Sequence, residues 1–264
     1  MKVAVISAAP TCGKSCFIHV LATVYSRSQQ RDVVILSTGD ATENLDLASN
    51  VVKTSGLDNP HIVKAMVDEV GPDIDSVLDY GIRIGTERAF VFDILNCAMA
   101  KEDKQDFLVN ALKNIPASLT LVEVCGDIRS ELNKRVLEEC DCSIVLVDCS
   151  QLGIKRLKQL MQNMPDCPVK MNRAVVINRY DQAVCSMKKF SEMAKIAQFD
   201  LFKFYYNVQI PKLAMTGQLD KIAYNIVNGD FEVANLRMCL QEIMSFIFDS
   251  PAKKIIRSID RWYK

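Results

Sequence analysis

Five runs of nearly unbroken apolar, largely β-branched residues punctuate the chain: KVAVIS (2–7), DVVILST (32–38), LTLVEVC (119–125), CSIVLVDCS (142–150) and RAVVINRY (173–180). Runs of this length without polar alternation belong to strands buried on both faces. RAFVFDIL (88–95) is a further candidate strand and FKFYYNV (202–208) a weaker one. Between them lie stretches with helical character at 16–26, 62–71, 102–114, 129–140, 153–164, 187–198 and 231–248. Apolar strands alternating with helices predict an α/β fold, a mostly parallel sheet with helices on both faces. The 264 residues are 49% apolar, enough for one large core. No repeat, low-complexity linker or composition shift divides them, so one domain over 1–249 is expected, followed by a separate terminal segment.

The charge balance narrows the function. Lys plus Arg and Asp plus Glu both number 32. A global electrostatic drive toward nucleic acid is therefore absent. The ten cysteines form no CxxC pair, so reduced thiols in a cytoplasmic protein are expected. Zinc ligand spacing is not met, and only His19 and His61 could help. No apolar run is long enough to span a bilayer. The apolar start runs straight into a loop and reads as a strand, not a secretory leader.

That loop is SAAPTCGKSC (7–16), set between the first strand and a helix. Ala8, four residues, then Gly13, Lys14 and Ser15 fit the permissive form of a phosphate-binding loop, although Ala8 and Ala9 stand where glycines are usual. The chemistry explains each position. Gly13 lets backbone N–H groups approach a phosphate closely. Lys14 reaches the β- and γ-phosphates, the Ser15 hydroxyl binds Mg²⁺, and the helix adds its positive end. Pro10 stiffens the loop and removes one donor. Ala9, Pro10, Thr11, Cys12, Gly13, Lys14, Ser15 and Cys16 are thus candidate nucleotide contacts. A thiol at a helix N-terminus, as at Cys12 and Cys16, has a lowered pKa, but a small buried filler is the default reading.

Other candidates carry two readings each. Asp40 follows the second strand and could polarise an attacking water; otherwise it is a solvated loop carboxylate. Its place at a strand's carboxyl end favours function. Glu123 ends a buried run, and buried carboxylates need a partner, which favours a metal-linked role. Asp148 is either functional or the cap of the next turn. Asn178, on its own residues, is a strand-end turn residue. Glu43 and Asp46 read as a solvated loop.

Several of these segments together resemble the MinD/ParA group of P-loop ATPases, over roughly residues 2–225. STGDATENL (37–45) is similar to its Asp-x-Asp region, with Thr38 in the first aspartate's place and Asp40 in the second's. LTLVEVCGD puts Glu123 where an aspartate stands, followed by Gly126. EECDCSIVLVDCS resembles the helix end and strand that come next in the group, and VVINRYD (175–181) its adenine-side strand. NVQIPKL (207–213) resembles the loop that closes over the adenine, with Pro211 in place.

The resemblance implies ATP and Mg²⁺ as ligands. Lys14, Asp40 and Glu123 would be catalytic, with Ser15, Asp40 and Glu123 on the metal and Asn178, Arg179 and Pro211 on the base side. It also implies a homodimer. The group's signature lysine, early in the loop, would fall at or beside Ala9, where nothing is cationic. Its absence points to nucleotide binding more strongly than to efficient hydrolysis. A missing signature lysine is also a feature of the TadZ/CpaE branch, whose members carry a receiver-like domain in front; none is expected here, since the sequence opens on its first strand.

The end of the chain, DSPAKKIIRSIDRWYK (249–264), predicts a basic amphipathic helix over 250–264. Ser250 and Pro251 suit its start. Ile255, Ile256, Ile259, Trp262 and Tyr263 can share a face, and five cations oppose one Asp260. Such a helix either lies on an anionic membrane surface or docks on protein. The leading expectation is an ATP-binding, dimerising switch with weak ATPase activity. It would be cytoplasmic or peripheral at the inner face of the membrane, and would position a pilus, secretion or division apparatus. The alternatives are a non-hydrolysing scaffold acting through protein contacts, a DNA-partitioning ATPase, disfavoured by the neutral charge, and a small-molecule ligase.

Overall fold

The computed structural model describes residues 1–9, 12–39, 81–84, 87–92, 101–164 and 172–248. Its strands are β1 (Lys2–Ser7), β2 (Val33–Ser37), β3 (Ile82–Arg83), β4 (Ala89–Phe92), β5 (Leu119–Glu123), β6 (Cys142–Val147), β7 (Asn172–Tyr180) and β8 (Asp200–Tyr205). Its helices are α1 (Lys14–Gln29), α2 (Lys101–Asn114), α3 (Glu131–Glu138), α4 (Gln151–Gln162), α5 (Met187–Ala194), α6 (Gln209–Met215), α7 (Asp220–Asn228) and α8 (Ala234–Phe248), the last entered through a 3₁₀ turn at Phe231–Val233.

The strands form one sheet in the order β3-β4-β2-β5-β1-β6-β7-β8. Every neighbouring pair is parallel except β3 with β4. The chain leaves β1 for β2, beyond β5 on one side, and passes from β5 to β6 on the other. The winding therefore reverses at β1. In open parallel sheets the crevice at such a reversal, outside the strands' carboxyl ends, is where ligands bind.

Side chains alternate across the sheet. Val3 and Val5 of β1 face one core with Phe17 and Leu21 of α1, Ile222 and Ile226 of α7, and Leu240 and Ile243 of α8. Ala4 and Ile6 face the other with Leu108 and Leu112 of α2, Val136 of α3, Leu157 of α4 and Phe190 of α5. Because α1 is covered by the sheet and by α7, it is buried on nearly every side. His19 in its middle has no exposure and no hydrogen-bond partner on either ring nitrogen among the described residues. Burial lowers its pKa to about 4, so the ring is neutral.

The α/β expectation holds, and each expected strand is found among the described residues with ends shifted by up to three residues, β8 starting two residues early. Three local differences stand out. Helix α1 runs further in both directions than 16–26, since a helix buried all round lacks the polar stripe that marks its ends. The stretch expected as a loop at 207–213 is helical from Gln209, and α7 follows it. The expected helix at 62–71 and the terminal segment 250–264 lie outside the described residues. No described helix is long and apolar enough to cross a membrane.

Candidate functional site

Beyond Ser7 the chain stays pinned to the sheet: the Ala8 N–H donates to the Leu146 carbonyl at 2.8 Å. The Cys12 N–H closes a tight turn on Ala9 O. Gly13 then takes a left-handed conformation (φ 77°, ψ 31°) and opens α1 with no side-chain cap. The first N–H groups of that helix are thus left for another acceptor, the arrangement that favours an anion. Only glycine fits here, because a Cβ would lie 2.8 Å from Asn178 Nδ2 as well as straining the backbone.

Lys14 and Ser15 turn toward the carboxyl end of β5. Register places Glu123 beside Val5 of β1 and Ser37 of β2. Lys14 Nζ donates to Val124 O at 2.5 Å and lies 3.4 Å from Cys125 Sγ and 3.7 Å from Glu123 Oε1. Ser15 Oγ donates to the same Glu123 oxygen at 2.8 Å. Glu123 is 1% exposed, and its Oε2 is buried with no partner among the described residues. Burial pushes its carboxyl above the usual range, and Lys14 and Ser15 oppose this only in part. A buried, half-satisfied carboxylate beside a hydroxyl is a donor set that fits a hard divalent cation, and protonation would satisfy it otherwise.

The turn after β5 is held rigidly. Thr38 donates its N–H to Glu123 O, and its hydroxyl accepts from the Cys125 N–H at 2.9 Å. Asn133 Nδ2 donates to the carbonyls of Cys125 and Asp127. These groups enclose a cleft of about 1110 Å³. Its walls are the loop residues Ala8, Ala9 and Gly13–Cys16, the turn 123–128, one face of α4 (Arg156, Gln159, Asn163), and Ala214 and Met215 of α6.

Of the residues singled out in the sequence, Ala9, Gly13, Lys14, Ser15, Cys16 and Glu123 meet at this cleft. Pro10, Thr11 and Asp40 lie outside the described residues. Cys12 is buried against Leu146 O. Desolvation raises the thiol pKa of Cys12 and Cys16, the reverse of the helix-terminus effect, so both act as fillers. Asp148 is a cap: its Oδ1 accepts the Ser150 N–H at 2.8 Å. Asn178 does not line the cleft. It is 6% exposed, donates Nδ2 to Cys12 O, and accepts the Arg179 N–H on Oδ1. Arg179 has a left-handed backbone (φ 54°) where the β7–β8 register shifts. Pro211 is exposed within α6. The α4 wall was missed from the sequence, where the only signal was polar residues spaced i, i+3, i+7 at 156, 159 and 163; of the 124–128 turn only Gly126 was singled out.

No protein-family model and no curated protein matches the chain. Solved structures do. A ParA family ATPase from Chlorobium tepidum superposes with a TM-score of 0.67 at 12% identity, covering 92% of this chain and 97% of that one. MinD from Pyrococcus horikoshii, complexed with Mg-ADP, gives 0.64 at 13% identity over 96% and 99%. The MinC:MinD complex of Aquifex aeolicus gives 0.65 at 11% identity over 92% and 96%. At such identities the likeness is one of fold: the chain has the α/β fold of these MinD and ParA ATPases.

Proposed function

We propose that the chain is a nucleotide-dependent switch of the MinD/ParA kind. It binds ATP with Mg²⁺ on residues 8–16, turns it over slowly and acts as a homodimer on the protein components of a membrane-associated machine. The observation that carries this reading is the meeting of Gly13, Lys14, Ser15 and Glu123 at the point where the sheet's winding reverses. Lys14 exchanges its bond to Val124 O for phosphate oxygens, and the uncapped start of α1 adds its N–H groups. Ser15 and Glu123, with Asp40 from the expected set, would hold the metal, which would neutralise phosphate charge when bound. The base lies on the side of Arg179 and Pro211, with Asn178 shaping the loop from behind. The relative solved with Mg-ADP supports nucleotide and metal as the ligand class.

Ala9 favours the scaffold alternative in one respect. It is 5% exposed and apolar, so that position supplies no charge to a transferring phosphoryl group. Turnover is accordingly well below the typical enzyme's roughly 10 s⁻¹. The terminal segment 250–264 supplies a weak membrane contact in this picture.

Calorimetric titration of the full chain with Mg-ATP tests the proposal. Lys14→Ala removes a charge-assisted phosphate contact and should cost about 1.5–3 kcal/mol of binding. Equal affinity in wild type and variant, or no binding by wild type, refutes it.

A further inference from the structure

The cleft is lined by four charged residues: Lys14, Glu123, Asp127 and Arg156. Three are already engaged. Lys14 sits between Val124 O and Glu123, and Asp127 is held by Arg129 at 2.9 Å. Arg156 is half-buried and has no hydrogen bond or ion pair among the described residues. A half-buried guanidinium facing a cleft has been partly desolvated without a compensating anion.

The helix that carries it is firmly seated. Ser150 caps α4 by accepting the Gly153 N–H at 2.9 Å. A Cβ at Gly153 would stand 2.5 Å from Asp148 Oδ1 and 2.6 Å from its carbonyl oxygen, so the first turn is pressed onto the end of β6. Ile154 and Leu157 are buried in the core. Arg156 and Gln159 of α4, with Asn163 just after it, therefore put a polar wall on the cleft that the loop also lines.

We propose that Arg156 recognises the terminal phosphate of a nucleoside triphosphate and so lets the site separate triphosphate from diphosphate. This rests on the nucleotide reading above. The added phosphate of a triphosphate brings negative charge toward a cleft whose lysine is already shared with a buried carboxylate. A second cation is needed there, and a planar fork of donors suits phosphate oxygens better than a point charge. In this reading a diphosphate, held by the loop and the start of α1, would stop short of this wall.

The test titrates the full chain with Mg-ADP and with the Mg complex of a non-hydrolysable β,γ-imido ATP analogue. Wild type, Arg156→Ala, Arg156→Gln, Arg156→Lys and the exposed neighbour Lys155→Ala are compared. Arg156→Ala and Arg156→Gln should lose about tenfold or more in triphosphate affinity, while ADP affinity stays within about twofold. Arg156→Lys should recover part of the loss, and Lys155→Ala should match wild type. If one neutral variant melts prematurely, the other carries the same ratio. A triphosphate-to-diphosphate ratio unchanged by removal of the guanidinium overturns this inference and leaves the nucleotide site standing. A wild type that binds neither nucleotide overturns both.

Discussion

The two sides of the loop that opens α1 are built differently. On the β5 side three side chains that carry chemistry converge: Lys14 and Ser15 both reach Glu123, at 3.7 and 2.8 Å. On the β7 side the corresponding polar residue is spent internally, since the Asn178 amide bonds the loop's own Cys12 carbonyl and the next N–H. The β5 side is thus set by strand register, with β1, β2 and β5 fixing their ends together. Under the proposed reading the base would lie toward α6, whose Pro211 is exposed.

Gly13 joins the two sides, so replacing it should break the comparison most strongly. A left-handed alanine costs about 1–2 kcal/mol, and its Cβ would stand 2.8 Å from Asn178 Nδ2. Gly13→Ala should therefore lower stability by about 2 kcal/mol or more, a drop of roughly 4–8 °C in melting temperature. In an Asn178→Ala background the collision is gone and only the backbone share should remain, giving a non-additive cycle. Strict additivity would mean that the two sides are independent.

Glu123→Gln sharpens the contrast on the phosphate side. Burial raises the carboxyl above its ordinary 4.5, so the folded state holds the proton more tightly than the unfolded chain. That contribution to stability is complete below the ordinary value and is lost as pH rises through the raised one. The glutamine variant should melt with wild type near pH 4 and above it at pH 8, by roughly 2–4 °C for each kcal/mol released. It should also bind Mg-ATP less well. Wild type the more stable at pH 8 would mean that Lys14 outweighs burial.

The smallest change is expected at Pro211. It is exposed within α6, and Pro211→Ala should alter stability by less than about 0.5 kcal/mol and ATP affinity by less than about twofold. A tenfold fall in ATP affinity would place a built subsite on the base side after all.

What the sequence disclosed follows the same division. The phosphate loop was legible because its chemistry is packed into consecutive residues, and Glu123 because a carboxylate ending a buried run is conspicuous. The strands were legible because parallel strands buried on both faces read as continuous apolar runs. Helices α6 and α7 were not, because the short run after β8 matched a loop pattern and the next is only nine residues long. The α4 wall was invisible for a topological reason: Arg156 comes to the loop only because β6 pairs with β1.

The bond from Lys14 to Val124 O has a further consequence. Lys14 already has an oxygen acceptor and a nearby carboxylate, both supplied by β5 and the residue after it. Under the proposed nucleotide reading these act as an internal surrogate ligand, and nucleotide would enter as a competitor in an exchange. The measured affinity then reports the difference between two sets of oxygens around one ammonium. Any contact that shifts β5's end, from a partner or a second copy of the chain, would tune that affinity without touching the nucleotide.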